Sequence, residues 1–205
     1  MNNSLRKVQK FYLFWKRLFD IIASFFAIVI LSPLLVIVAI LVKCTSKGPV
    51  FFLQDRYGKN QTIFRIIKFR SMKFDAKNVP AEYLTNEQQD MMTTKFGRFI
   101  RKTSIDELPQ LFNVFVGQMS FIGPRPCIAN KSDIITIERL MHQPSAYLVN
   151  PGISGYSQIE LKRSHNPTEK AEYDSYYVAH MNIWFDIKLF FTSFVLIFTG
   201  SLDGH

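Results

Sequence analysis

Residues 21–42 read IIASFFAIVILSPLLVIVAILV, and this uncharged stretch decides how the rest of the chain can be arranged. As one α-helix it would be about 33 Å long at 1.5 Å per residue, which is enough to cross the hydrocarbon core of a bilayer. Ser32 and Pro33 stand near its middle. Because proline removes one helical hydrogen bond and clashes with the preceding turn, we expect a bend there, with the serine hydroxyl satisfying a freed carbonyl.

Basic residues flank the apolar stretch on both sides, and positive charge favours the cytoplasmic side of a membrane. From the residues alone, two topologies remain open. One is a re-entrant hairpin that bends at Ser32–Pro33 and keeps both flanks in the cytoplasm, and the other is a kinked single span. A cleaved signal peptide is not expected, because residues 43–47 show no small-residue cleavage pattern. The flanking cations are Arg6, Lys7, Lys10, Lys16 and Arg17 before the stretch, and Lys43, Lys47, Arg56 and Lys59 after it.

The composition points to an anionic partner. The 205 residues carry a formal net charge of +9 and include 20 phenylalanines, so the chain is neither acidic nor disordered. Charge alone leaves nucleic acid, an acidic membrane surface and a phosphorylated substrate open. Cys44 and Cys127 stand in no metal-type spacing and the histidines are scattered, so neither a zinc site nor a disulfide framework is expected.

The pattern after the apolar stretch predicts a second region, residues 48–205, beside a membrane region of residues 1–47. Residues 50–54 and 62–69 are rich in β-formers and predict a hairpin that turns at residues 56–60. Residues 183–198 are apolar with two charges, which fits either an amphipathic helix on the membrane or a core helix. Further predicted elements are a loop with a short helix at 73–95, helices at 96–102, 106–115, 132–142 and 170–179, and a turn at 151–155.

Asp106 and Glu107 stand where a helix is predicted to begin. One register makes Ser104 and Glu107 a capping box. The other makes Asp106 the N-cap and is preferred, because Pro109 then falls in the first turn, where its missing N–H costs nothing. In either register Asp106 would stay ionised, as a nucleophile, as a metal ligand or as an ordinary N-cap.

Three basic residues are candidates for binding phosphate. Arg125 is held between Pro124 and Pro126, and a stiffly held guanidinium suits a phosphate, although pairing with a carboxylate would explain it equally. Lys68 shares a strand face with Arg70, where both either bind phosphate or merely solvate an edge. Arg101 precedes Asp106 closely enough to reach the same pocket.

These motifs together resemble the bacterial sugar transferases, the monotopic phosphoglycosyl transferase family that acts on undecaprenyl phosphate. The resemblance runs from about Lys16 to about Thr199. The residues that carry it are Lys16-Arg17-x-x-Asp20, Ser32-Pro33, Gly48-Pro49-Val50-Phe51-Phe52, Gln54-x-Arg56-x-Gly58, Lys68-Phe69-Arg70-Ser71-Met72, residues 103–114 around Asp106-Glu107, residues 119–126 around Arg125, residues 151–155, and Tyr173-Asp174-x-Tyr176-Tyr177.

The resemblance implies a two-step reaction. Asp106 would attack the β-phosphate of a UDP-sugar and release UMP, and undecaprenyl phosphate would then take the phosphosugar from the aspartate. It also implies Mg²⁺ beside Asp106 and Glu107, with phosphate held by Arg125 and, less specifically, by Lys68 and Arg101.

The resemblance further implies an α+β fold, mostly α, with a re-entrant helix-break-helix at Ser32–Pro33, a β-hairpin and interfacial helices around a cytosolic active site at the bacterial inner membrane. The expected partners are membrane lipid but not nucleic acid. The oligomeric state is open, since exposed aromatic helices could pair two copies of the chain. The chain resembles the small catalytic form of the family, without an extra membrane domain. Lys162-Arg163 stands near the point where many relatives carry a Gly-Arg or similar pair, which leaves the sugar and nucleotide details open but not the reaction class. The rival reading is a non-catalytic, membrane-anchored scaffold that binds anionic lipid.

Overall fold

The computed structural model describes residues 5–73, 85–161 and 166–198, so part of the predicted 73–95 loop and the Lys162-Arg163 pair lie outside the described residues. The chain folds as a mostly helical α+β protein, as predicted. In chain order the elements are α1 (Lys7–Thr45), β1 (Phe51–Tyr57), β2 (Ile63–Phe69), α2 (Asn86–Met92), α3 (Lys95–Lys102), α4 (Gln110–Val116), β3 (Ser120–Ile122), α5 (Ile134–Met141), β4 (Gly152–Ser154), α6 (Tyr156–Leu161), α7 (Pro167–His180) and α8 (Ile183–Phe198).

Helix α1 runs without interruption through Pro33, so the predicted helix-break-helix is not confirmed. The physical reason lies next to the proline. The N–H that Pro33 lacks would have bonded to the carbonyl of Val29, and the Ser32 hydroxyl donates to that carbonyl instead, at 2.8 Å. The predicted role of the serine is therefore confirmed. With 39 residues, α1 is long and apolar enough to cross a membrane.

Both ends of α1 pack onto the same body, while its middle does not. In the N-terminal arm, residues 7–24, Asp20 accepts a hydrogen bond from the Phe121 backbone N–H at 3.3 Å. In the C-terminal arm, residues 34–45, Val38 and Val42 are buried against the end of β2 and α3. Between Ser24 and Val38 no residue of α1 is buried. The middle of α1 is therefore an apolar segment without a buried residue.

The hairpin prediction is confirmed. Strands β1 and β2 are antiparallel, with Phe51 opposite Phe69 and Tyr57 opposite Ile63. The turn lies slightly later than predicted, because Arg56 and Tyr57 belong to β1. The predicted turn at residues 151–155 is wrong in part, since Gly152–Ser154 forms a short strand that pairs in parallel with β3.

Helix α8 has the predicted bounds and two contrasting faces. Asp186 and Leu189 are buried, and Asp186 accepts hydrogen bonds from Lys16, Tyr12 and Tyr177. The opposite face exposes large apolar side chains, so α8 packs into the core with one side and leaves an apolar surface on the other. The exposed apolar residues of α8 are Ile183, Trp184, Ile187, Phe190, Phe191, Phe194 and Val195.

Candidate active site

Asp106 and Glu107 lie in a 3₁₀ turn, Ile105–Glu107, that precedes α4. Neither predicted helix register is correct. Ser104 makes no side-chain cap, and α4 begins only at Gln110, with Pro109 as its N-cap. Ser104 has a positive φ of 54°, which reverses the chain after α3. Because Pro109 cannot donate to Ile105, this segment closes with shorter i→i+3 bonds, such as Glu107 N–H to the Ser104 carbonyl at 3.1 Å.

Glu107 joins two of the predicted cations. Its Oε1 accepts from Lys68 Nζ at 2.6 Å and from an Arg125 guanidinium nitrogen at 3.2 Å. Burial raises the pKa of Glu107, but the charges of Lys68 and Arg125 outweigh it and lower the pKa to about 2. Glu107 is therefore a permanent carboxylate, and the pairing of Arg125 with a carboxylate is real in this structure.

The pKa of Asp106 is shifted in the opposite direction. Asp106 is 9 % exposed, and burial, followed by the negative charge of Glu107, raises its pKa to about 6 in spite of nearby cations. Across residues 5–73, 85–161 and 166–198, nothing donates a hydrogen bond to its carboxylate. Asp106 is thus the carboxylate of the pair whose oxygens remain open to a ligand.

Arg101 is close to Asp106 but is not bonded to it. Its guanidinium donates to Gln89 Oε1 at 3.0 Å and to Thr93 Oγ1 at 3.4 Å. Its positive charge still lowers the pKa of Asp106. Arg101 therefore acts on Asp106 only through its charge in this structure, and its contact with a substrate phosphate stays a prediction.

Asn113 positions the strand that carries Lys68, so that Lys68 contacts Glu107. Its side chain accepts from the Ile67 N–H at 3.0 Å and donates to the Arg65 carbonyl at 2.8 Å, which fixes β2 against α4. Asn113 is 1 % exposed, so these bonds are shielded from water. Lys68 follows directly in the strand and is held beside the acidic pair.

Two arginine side chains bind the backbone around Arg125, a role that the sequence analysis did not predict for them. Arg56 donates to the Pro126 carbonyl at 3.1 Å, and Arg139 donates to the Arg125 carbonyl at 2.7 Å. Arg139 is in turn paired with Asp174, which also accepts from Ser157 at 2.7 Å. Arg139 and Asp174 are almost completely buried. No local pattern marks Arg139, and Asp174 is marked only by its place in Tyr173-Asp174-x-Tyr176-Tyr177.

The residues present fit a magnesium ion whose ligands come partly from the protein and partly from the substrate. Within the described residues no cluster of three or more acidic, histidine or cysteine side chains exists. Mg²⁺, however, is commonly held by one or two protein carboxylates together with substrate phosphates. Asp106 has open oxygens, whereas Glu107 Oε1 is already occupied by two cations. The arrangement as a whole offers an ionisable, desolvated carboxylate beside positive charge, which suits phosphoryl chemistry.

Comparison with known proteins supports this chemistry. The profile of the family described as "Bacterial sugar transferase" matches residues 11–200. The chain is 40% identical over 193 residues to a UDP-N-acetylgalactosamine-undecaprenyl-phosphate N-acetylgalactosaminephosphotransferase of Aeromonas hydrophila, covering 92% of the chain and 45% of the relative. It is 39% identical to a UDP-glucose:undecaprenyl-phosphate glucose-1-phosphate transferase of Klebsiella pneumoniae, covering 92% of the chain and 40% of that protein.

The extent of these matches differs among relatives. The chain spans less than half the length of the Aeromonas and Klebsiella proteins. By contrast, it covers 93% of the exopolysaccharide production protein PSS of Rhizobium leguminosarum bv. phaseoli, at 38% identity and over 88% of the chain. In this chain, the range matched by the family profile includes the acidic pair.

Proposed function

The chain belongs to the bacterial sugar transferase family, and on that premise we propose that it transfers a sugar 1-phosphate from a UDP-sugar to undecaprenyl phosphate and releases UMP. The observation that carries the proposal is the pair Asp106-Glu107, in which one carboxylate is neutralised by Lys68 and Arg125 while the other keeps open oxygens. Such a reaction would begin a glycan on its lipid carrier.

In the first step, an Asp106 oxygen attacks the β-phosphorus of the UDP-sugar. The bond between that phosphorus and the oxygen bridging to the α-phosphate breaks, and UMP leaves with the bonding electrons. A phosphosugar ester of Asp106 remains. The raised pKa of Asp106 supports this role, because a carboxylate that is poorly stabilised in the free enzyme is a better nucleophile than one held by hydrogen bonds.

In the second step, a phosphate oxygen of undecaprenyl phosphate attacks the same phosphorus. The bond to Asp106 breaks, the carboxylate is regenerated, and the product is an undecaprenyl diphosphate sugar. Arg125 is the best-placed cation to hold the transferred phosphate, since its side chain is 42% exposed while Lys68 is more buried. Arg101, which donates to Thr93, contributes positive charge near Asp106.

Mg²⁺ is proposed as the cofactor, with Asp106 and, less directly, Glu107 as its protein ligands. When bound, such an ion would offset the negative charge that gathers between the donor phosphates and the acidic pair. Glu107 keeps Lys68 and Arg125 in place beside Asp106, and its lowered pKa supports a fixed negative charge rather than a proton carrier.

The proposed topology is a re-entrant one, with α1 dipping into the cytoplasmic leaflet of the inner membrane and the active site facing the cytoplasm. The two packed arms of α1, on either side of an exposed apolar segment, support it. This topology requires α1 to bend at Pro33 inside lipid. The exposed apolar face of α8 would lie in the interface beside it.

Thiol labelling in intact bacteria tests this topology. Cys44 is exposed at the end of α1, whereas Cys127 is buried and should not react. In wild-type cells, and in a Lys7→Cys, Cys44→Ser double variant, we expect an impermeant maleimide to react only after the inner membrane is permeabilised. Reaction of one of the two sites in intact cells would establish a single span instead.

Nucleotide analysis tests the proposed activity. Purified enzyme with Mg²⁺ is mixed with a panel of UDP-sugars in the absence of lipid, and the released nucleotide is quantified. We expect UMP in an amount no greater than one per enzyme, with multiple turnovers only after undecaprenyl phosphate is added. Release of UDP, or of no nucleotide from any donor with lipid present, would argue for another reaction or for a lipid-binding scaffold.

A further inference from the structure

A cavity of about 900 Å³ lies between the end of α1 and the start of α3, away from the Asp106-Glu107 turn. Its walls include Lys47, Lys73, Lys95 and Arg98, and we call it the basic cavity. All of these cations are exposed, and within residues 5–73, 85–161 and 166–198 none of them is paired with a carboxylate. The other lining residues include the apolar Met91 and Phe96, beside small hydroxyl side chains such as Thr93 and Thr94. This combination suits a ligand with an anionic head and an apolar body.

A buried arginine stands behind one wall of the basic cavity. Arg70 is only 8% exposed and donates one hydrogen bond, to the carbonyl of Ser46, which lines the cavity. Its Nε and one terminal guanidinium nitrogen are buried without a partner. Unsatisfied charged donors are costly in a protein interior, and the charge of Arg70 adds positive potential to this wall of the cavity.

An exposed apolar stripe on α1 leads to the same cavity. Ile37, Leu41 and Thr45 are spaced by four residues and therefore share one helix face, and Thr45 lines the cavity. Ile37 and Leu41 are both exposed. The stripe belongs to the helix that is apolar enough to enter a membrane. A lipid tail could lie along it while the head of the lipid rests on the cations.

The basic cavity also connects to the reacting carboxylate. Thr93 lines the cavity and accepts a hydrogen bond from Arg101, whose charge acts on Asp106. Resting on the proposed function, we propose that the basic cavity receives the phosphate head of the polyprenyl phosphate acceptor, with its first isoprene units on the Ile37–Leu41 stripe. From there the phosphate passes Arg101 to attack the phosphosugar on Asp106. A water-soluble nucleotide donor would have no use for the apolar stripe.

Separate assays of the two half-reactions test this assignment. The enzyme is placed in nanodiscs of zwitterionic phosphatidylcholine, and a triple variant is compared with wild type: Lys47→Met, Lys73→Met and Arg98→Met. Because charge-assisted contacts to the acceptor phosphate are lost, we expect its KM to rise by about tenfold or more. The UMP released before lipid addition should stay at the wild-type amount. A matched control removes three exposed cations elsewhere near the membrane, Lys7→Met, Lys10→Met and Lys188→Met, and should leave the KM within about twofold.

Each alternative outcome is informative. An unchanged KM in the triple variant, or an equal rise in the control, would overturn the assignment. Loss of the UMP that is released before lipid addition, the UMP burst, would show that the cavity binds the nucleotide donor instead. A rise in KM that is seen only when phosphatidylglycerol is added would show that the cavity binds bulk anionic phospholipid. If wild type itself releases no UMP, the proposed function fails independently of the cavity.

Discussion

Replacing Asp106 with asparagine is expected to lower transfer to undecaprenyl phosphate by at least about 10³-fold and to abolish the UMP that is released before lipid is added. The amide keeps the size of the side chain but is a very poor nucleophile. Since Asp106 makes no described hydrogen bond through its carboxylate, the change should cost little stability. Both quantities are measured with purified enzyme and a donor that wild type accepts.

Two further variants serve as controls for Asp106→Asn. Glu107→Gln should lower the rate of the burst without abolishing it, because the nucleophile remains while Lys68 and Arg125 lose their shared partner. Asp55→Asn removes an exposed carboxylate that pairs with Arg65 at 3.5 Å on the hairpin, and it should leave the burst unchanged. Normal turnover by Asp106→Asn would show that the nucleophile has been misassigned.

Replacing Asp174 with asparagine is expected to lower the free energy of unfolding by about 3–5 kcal/mol. Asp174 and Arg139 are 1% and 4% exposed, so the variant leaves the charge of Arg139 buried without its counter-ion. The Arg125 carbonyl depends on Arg139, and the loop that carries Arg125 should loosen as well. Denaturant titration in detergent measures the loss of stability.

A matched pair of variants separates burial from charge. Asp55→Asn breaks an ion pair whose side chains are more than half exposed, and it should change the free energy of unfolding by less than about 1 kcal/mol. Removing both buried charges, with Arg139→Met and Asp174→Leu together, should recover much of the loss, because no unpaired charge remains. Equal effects of Asp174→Asn and Asp55→Asn would contradict the proposed role of the buried pair.

Local patterns in the sequence were sufficient for much of the fold. The β-formers of residues 62–69 predicted β2, and the run of apolar residues at 183–198 predicted α8 with its observed bounds. The Ser32 hydroxyl satisfies the Val29 carbonyl as expected. These features depend on neighbours within a few residues, where propensity and spacing carry the information.

The remaining features depend on contacts between distant parts of the chain. The bond from Asn113 to β2, which places Lys68, joins residues 46 positions apart, and the bond from Arg139 to Asp174 joins residues 35 apart. No spacing reveals such pairs in one sequence. The helix register at Asp106 failed for a local reason, because Ser104 adopts a left-handed conformation that single-residue propensities do not favour. The roles of Asp106, Glu107 and Arg125 came from the family resemblance rather than from spacing.

Mass spectrometry of the enzyme after incubation with a UDP-sugar and Mg²⁺, without lipid, tests the central claim most directly. The tryptic peptide of residues 103–131 contains both acidic residues, and fragmentation distinguishes them. We predict a mass increase of one sugar phosphate on Asp106, which disappears when undecaprenyl phosphate is added. Release of UMP with no adduct on this peptide, or an adduct on another residue, would contradict the account.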